Sequence, residues 1–247
     1  MSKEDMPMQP DEMTHQAMGY DRTSIMFSPD GRLLQVEYAK KTVKQGTTAL
    51  GIVFKDGALL VADKRIVEKL VVGKSIEKVF QVDDHIGATA SGILSDGRIL
   101  IERAQVMAQQ HRITYSEPMP TESLVKEISN VKQLYTQVGG ARPFGVSIMF
   151  IGITADEPQL FVTDPTGIFF EYKATAIGEA DTTVKEILTK QYRENMNFEE
   201  AARLGFGALK KALGKDFGLE RVDGAYILMK DKKFTRFTKD EIARFNK

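Results

Sequence analysis

The sequence predicts one α+β domain built as a four-layer αββα sandwich: two mainly antiparallel sheets packed face to face, with helix pairs outside. Three observations carry this prediction. Strand-like runs and helical runs come in groups, in the order ββββ–αα–βββ–αα–ββ–α, which indicates layers and not βαβ alternation. The links between successive strands are short turns, which antiparallel neighbours accept and parallel ones do not. No linker or internal repeat divides the 247 residues, a length that one large sandwich accommodates.

The elements follow in order. Residues 1–19 are polar, acidic, sprinkled with Met and Pro and without periodicity, and read as a mobile tail; residues 20–247 read as the domain. Ser28-Pro29-Asp30-Gly31 is a turn signal. A helix is expected at about 32–45, with Leu33, Val36 and Val43, joined by Leu34 and Tyr38, on its apolar side. That stripe is broader than one sandwich face needs. Lys40, Lys41 and Lys44 crowd its last turns, where cations suit the helix dipole, and Gly46 can end it. Strands are expected at Thr48–Phe54 and Ala58–Asp63 around Lys55-Asp56-Gly57, and at Val79–Val82 and Ile86–Ser91 around Asp83-Asp84-His85. Two helices follow, from about Asp96 to His111 and from about Thr121 to Gln137. Then come strands Val146–Thr154, Pro158–Thr163 and Ile168–Tyr172, the last turn being Asp164-Pro165-Thr166-Gly167. Helices at about Asp181–Tyr192 and Phe198–Leu213 follow, the second opened by an Asn197/Glu200 capping pair. Its small face of Ala201, Gly205 and Ala208 predicts close approach of another helix. Strands Ala225–Lys230 and Phe234–Arg236 and a short helix from Thr238, capped by Glu241, complete the chain.

Composition narrows the function. Hydrophobic residues make up 42% and charged residues 28%, enough for a sizeable core. Lys plus Arg, 34, equals Asp plus Glu, 34, so no basic excess points to nucleic acid or a membrane surface. The absence of cysteine excludes disulfides, thiol nucleophiles and Cys-based zinc sites. His15, His85 and His111 have no metal-binding spacing, and Gly139-Gly140 lacks the Lys-Ser/Thr of a phosphate loop. No cofactor or metal is expected. The longest strongly apolar run, Val146 to Ile153, is too short to span a bilayer, and the N-terminus lacks the apolar core of a signal peptide; a cytoplasmic location is expected.

One step carries possible chemistry. Gly46-Thr47 is where processing would create an N-terminal threonine, whose hydroxyl attacks a peptide carbonyl while its own amine takes the proton. The patterned helix just upstream opposes removal, because a disposable leader needs no amphipathic helix with an ordered stop.

The motifs Tyr20-Asp21-Arg22, Phe27-Ser28-Pro29-Asp30-Gly31-Arg32-Leu33, Gln35-Val36-Glu37-Tyr38-Ala39 and Gly46-Thr47-Thr48-Ala49-Leu50-Gly51 strongly resemble the α-subunit signature of the 20S proteasome. Ser75-Ile76-Glu77-Lys78, Ser91-Gly92, Gly139 to Ser147 and Tyr172 to Gly178 are similar to the same family in the same order, so the resemblance runs from residue 20 to the C-terminus and has an archaeal flavour. It implies the N-terminal nucleophile hydrolase fold and a non-catalytic subunit of the outer seven-membered ring. That ring gates entry, templates the β ring and docks a regulatory ATPase through the ATPase's C-terminal tail. The implied partners are related α subunits, β subunits and unfolded polypeptide substrates. Tyr20, Asp21, Pro29 and Tyr38 match the family's gate cluster, and residues 1–19 would form the gate. Lys78, Gly46 and Ile93 match the activator-docking pocket. Thr47, Asp63, Arg65, Lys78 and Asp223 match positions of the active β-subunit constellation, but Glu179 stands in Gly178-Glu179-Ala180 where active members have serine. The alternatives are an autoprocessed threonine protease with Thr47 as nucleophile and a self-standing bacterial-type peptidase ring. The upstream helix disfavours the second, since that type begins at its nucleophile.

Overall fold

The computed structural model describes residues 18–65 and 70–245. The expected tail at 1–19 therefore lies outside the described residues except for Met18 and Gly19. Helix α1 spans Leu34–Gln45 and leads into strands β1 (Ala49–Phe54), β2 (Gly57–Asp63), β3 (Val79–Asp83) and β4 (Ile86–Gly92). Helices α2 (Leu94–Tyr115) and α3 (Thr121–Tyr135) follow, then β5 (Val146–Thr154), β6 (Glu157–Thr163), β7 (Phe169–Glu171) and β8 (Ala174–Ile177). The chain continues through α4 (Asp181–Gln191), α5 (Phe198–Leu213), β9 (Val222–Leu228), β10 (Phe234–Arg236) and α6 (Lys239–Phe245).

The strands form two five-stranded sheets, β10-β9-β2-β1-β8 and β3-β4-β5-β6-β7, with every neighbouring pair antiparallel. Strand alternation sorts the side chains into three apolar layers. On β1 and β2, Leu50, Ile52, Leu59 and Val61 point to α4–α6, where they meet Val184, Ala201, Phe206 and Leu209. Ala49, Ala58, Leu60 and Ala62 point the other way, onto Met149, Ile151 and Leu160 of the second sheet. The far face of that sheet, with Ala88, Ile148 and Phe150, packs on Leu100, Ala104, Leu124 and Ile128 of α2 and α3. Small residues let the sheets approach closely: a Cβ on Gly51 would lie 2.7 Å from Leu160 Cδ1 and Met149 Sδ. The four expected layers are present.

Several details differ from the expectation. Strand β8 is additional to the expected strands; it closes the edge of the first sheet by pairing Ala49 with Ile177 through Ile52 with Ala174. Helix α2 is longer at both ends than the Asp96–His111 predicted, and its C-cap Ser116 takes a left-handed conformation. The small face of α5 receives a sheet and not a helix: a Cβ on Gly205 would lie 3.4 Å from Leu50 Cδ1 and Val61 Cγ2. Both predicted caps form, with Glu200 N–H donating to Asn197 Oδ1 at 3.0 Å and Glu241 N–H to Thr238 Oγ1 at 3.3 Å.

Helix α1 lies across the end of the sandwich where β4 stops and β5 starts. It buries Leu34, Val36, Ala39 and Val43, and burial of each larger side chain contributes about 1.5–3 kcal/mol. Polar clasps add direction. Thr42 Oγ1 donates to Gly145 O at 2.9 Å, Ser91 Oγ donates to Val43 O at 3.2 Å, and Lys40 and Lys44 pair with Asp164 and Asp181 at 3.1 and 2.7 Å.

Candidate functional site

Gly46 joins α1 to β1, and its backbone is extended (φ −72°, ψ 158°). The left-handed helix stop that glycine usually supplies is therefore not the reason for glycine here. The reason is room: a Cβ would lie 2.2 Å from Gly92 N and 2.5 Å from Ser91 Oγ. The corner after β8 grips the same junction from the other side. Glu179 N–H donates to Gly46 O at 2.9 Å, and Ala180 N–H to Thr48 Oγ1 at 3.1 Å. Gly178, at φ +103°, passes so near Thr47 that a Cβ would sit 2.6 Å from its carbonyl oxygen. The Gly46–Thr47 peptide is thus held on both sides.

Thr47 follows Gly46 in chain, so its nitrogen is an amide. Its Oγ1 is buried and has no hydrogen-bond partner. The charged groups that the resemblance associates with it have other partners. Asp63 is fully buried, and its carboxylate accepts from Arg221 Nε and Nη2 at 3.1 and 2.9 Å and from Arg65 N–H at 3.0 Å. The Arg65 guanidinium turns to Glu179 and lies only within 4.0 Å of Asp63. Lys78 is 1% exposed, and its Nζ donates to Ala90 O at 2.8 Å. Burial pushes its ammonium down to about 8; the Asp63 charge works against that and Arg65 adds to it. Asp223 is a structural cap: its Oδ2 accepts from the backbone N–H of Lys78 and Val79 at 3.2 and 3.3 Å, tying β9 to the start of β3 across the two sheets.

The three predicted docking residues do share one neighbourhood, the end of β4. Lys78 holds Ala90, Gly46 abuts Ser91 and Gly92, and Ile93 follows, its N–H donating to Gly145 O at 2.9 Å. Asp96 on the first turn of α2 braces this end. It is bound by Arg142 through two hydrogen bonds of 2.6 and 2.7 Å and by Gly145 N–H at 2.9 Å. Its burial raises the carboxyl pKa, but the Arg142 and Gly145 bonds prevail and hold it below its ordinary value.

Of the predicted gate residues, Asp21 meets the first turn of α1 through its carbonyl, Tyr38 lies within α1 and Pro29 in the turn before it. Pro29 is exposed in a turn closed by Gly31 N–H to Ser28 O at 2.8 Å and Ser28 N–H to Arg32 O at 2.9 Å, with Gly31 at φ +79°. Arg32 binds Glu37 at two points, which holds the Glu37 carboxyl below its usual range and fastens the turn to the helix. Tyr20 and Asp21 are half-buried, as is Tyr38. Sequence reasoning missed three contributors: Arg221, which takes Asp63; the carbonyl of Ala90, which takes Lys78; and Gln35, whose Nε2 donates to the carbonyl of Asp21. Gln35 stands inside the recognised motif, but nothing in its spacing points to a backbone oxygen.

This fold, with a helix packed before a half-buried Gly-Thr junction, points to the class. Residues 43–227 match the family model for proteasome subunits, and the chain belongs to that family. Residues 20–41, the segment that carries the turn and the first two thirds of α1, match the N-terminal signature of A-type proteasome subunits. The chain is 47% identical to the α subunit of the proteasome of Pyrococcus abyssi over 227 residues, covering 92% of this chain and 86% of that one. It is 47% identical to that of Methanosarcina acetivorans, covering 92% of each, and 49% identical to that of Methanocaldococcus jannaschii, covering 91% and 86%. It is an α-type subunit.

Proposed function

We propose that this chain is a non-catalytic, gate-forming subunit of the outer seven-membered ring of a cytoplasmic proteasome core particle. Related α subunits flank it, β subunits lie beneath it, and an ATPase docks above it to deliver unfolded polypeptides. The observation that carries the reading is the grip on Gly46–Thr47: Glu179 N–H holds the Gly46 carbonyl while Arg221 neutralises Asp63 and Ala90 occupies Lys78. A threonine whose Oγ1 is buried without a hydrogen-bond partner is poorly placed as a nucleophile. Peptide hydrolysis then belongs to the β subunits of the complex. Among the described residues no helix is long and apolar enough to cross a membrane.

Docking is assigned to Gly46, Lys78 and Ile93 at the end of β4. Lys78 is covered in the chain, so a C-terminal carboxylate reaches it only if the ammonium leaves Ala90 O. The carboxylate then replaces a neutral acceptor with a charged one, which binds an ammonium more strongly. Lys78→Ala in the assembled particle is expected to abolish ATPase-stimulated proteolysis while assembly and unstimulated peptide hydrolysis persist. Unchanged stimulation would remove Lys78 from the docking site.

A further inference from the structure

We propose that the cavity at the end of the sandwich opposite Gly46 binds a zwitterionic ligand with an apolar side chain, a short peptide or a free amino acid. The cavity, about 580 Å³, lies where the β3–β4, β5–β6 and β9–β10 turns meet the α2–α3 connection. Small-molecule sites span about 300–1,000 Å³, so its size fits. Strand β4 starts beside it and ends at Gly92, seven residues and about 20 Å away, which separates it from the docking neighbourhood. The floor is preorganised. His85 Nε2 donates to Met119 O at 2.9 Å, and the N–H groups of Ile153 and Phe234 donate to the carbonyls of His85 and Asp84 at 3.2 and 2.6 Å. A floor held this way loses little freedom when a ligand arrives. Met119 and Ile153, 7% and 3% exposed, with Pro118 and Pro120 beside them, make it apolar. Charges stand round it in balance: Arg112, Lys232 and Lys233 against Asp84, Glu117 and Asp231. A balanced rim disfavours ions of a single sign and complements a ligand that carries both. The ion pairs show which charges are spare. Arg112 is taken by Asp83 and Asp84 at 2.7 and 3.5 Å, and Lys232 by Asp156 at 2.6 Å. Lys233 and Glu117, both exposed, have no ion-pair partner among the described residues, and Asp231 accepts the backbone N–H of Lys233 at 3.3 Å. Lys233 therefore offers an ammonium to a carboxylate, while Glu117 and Asp231 offer acceptors to an amine. Behind the rim, Asp83 Oδ2, His85 Nδ1 and Arg112 Nε are buried without a hydrogen-bond partner. Such atoms are rare in folded chains, and here three cluster at the wall of one cavity.

The test uses the full-length chain with isotope-labelled Met and Ile methyl groups, followed by NMR as ligand is added. Four probes are titrated: the tripeptide alanyl-phenylalanyl-alanine with free ends, its C-terminal amide, its N-acetyl form, and free phenylalanine. The expected result is a saturable shift of the Met119 and Ile153 methyl signals with a free-ended probe. A shift with the tripeptide makes the ligand a short peptide; a shift with phenylalanine alone makes it a free amino acid. Lys233→Ala weakens the free-ended probe about fivefold, the loss of about one exposed ion pair. The C-terminal amide binds more weakly by a similar factor and does not respond to Lys233→Ala, because each change removes one half of the same pair. The N-acetyl form is weakened as well, and it still responds to Lys233→Ala. The probe changes leave the protein untouched, so they decide the matter even if the variant misfolds. Equal affinity for the free-ended, amidated and acetylated peptides overturns zwitterion recognition. The absence of a saturable shift at Met119 and Ile153 with every probe overturns the site.

Discussion

Two buried lysines show how single residues store pH dependence. Lys132 of α3 is fully buried, and its Nζ donates to Thr163 O at 3.0 Å. Burial pushes it down to about 7, against the opposing pull of Asp164, and pushes Lys78 to about 8 from an ordinary 10.5. Above those values the folded chain has released protons that the unfolded chain still binds up to about 10.5. Stability therefore rises with pH across this window, and falls as the pH drops and each buried amine must take up charge. Lys132→Met is expected to flatten that rise. Thermal unfolding of the isolated chain checks it: relative to wild type, the variant's Tm gains more at about pH 6.5 than at about pH 9. An equal shift at both pH values would mean that Lys132 does not titrate in the fold. The ionic residues Asp63, Lys78 and Asp223 were legible in the sequence through the resemblance, but what they bind was not. Arg221 lies 158 residues from Asp63, and no periodicity or spacing connects them. A backbone carbonyl such as Ala90 O carries no sequence signal at all.

Among the elements, the α1–β1 junction is the most tightly constrained. Gly46→Ala is expected to cost about 1–3 kcal/mol, because the added Cβ meets backbone at Gly92, which has little freedom to retreat. Denaturant unfolding of the isolated chain measures it, and a loss within experimental scatter would mean that the junction relaxes. Gly31→Ala makes a contrast in cause: nothing lies within 4 Å of its Cβ, so any cost there comes from its φ of +79° alone. Element type was legible wherever the period was long. The helices and most strands read directly from alternation, turns and caps. Strand β8 did not, because its four residues follow β7 with only a short link and pair with β1, far away in the chain. The face of α5 misled for a related reason. Small residues announce close approach without saying to what, and here the sheet residues Leu50, Ile52 and Val61 occupy the space over Gly205.

For the whole molecule, grouped strands and helices were enough to predict four layers, and the three apolar layers follow from alternation on β1, β2 and β5. Membership of the sheets was less legible. The first four strands divide, β1 and β2 joining β8–β10 while β3 and β4 join β5–β7, so the long connection after β2 crosses between sheets. The same architecture serves an N-terminal nucleophile or a scaffold, and the junction at Gly46–Thr47 separates the two. Helix α1 packed across the sandwich end, with its exit held by Glu179 and Gly178, argues for a chain that stays whole. Intact-mass measurement of the protein, purified alone and co-expressed with its β partner, decides between them. The expected outcome is a full-length mass in both preparations, with large rings under native conditions. A mass lacking residues 1–46 would expose a free Thr47 amine and make this chain a protease.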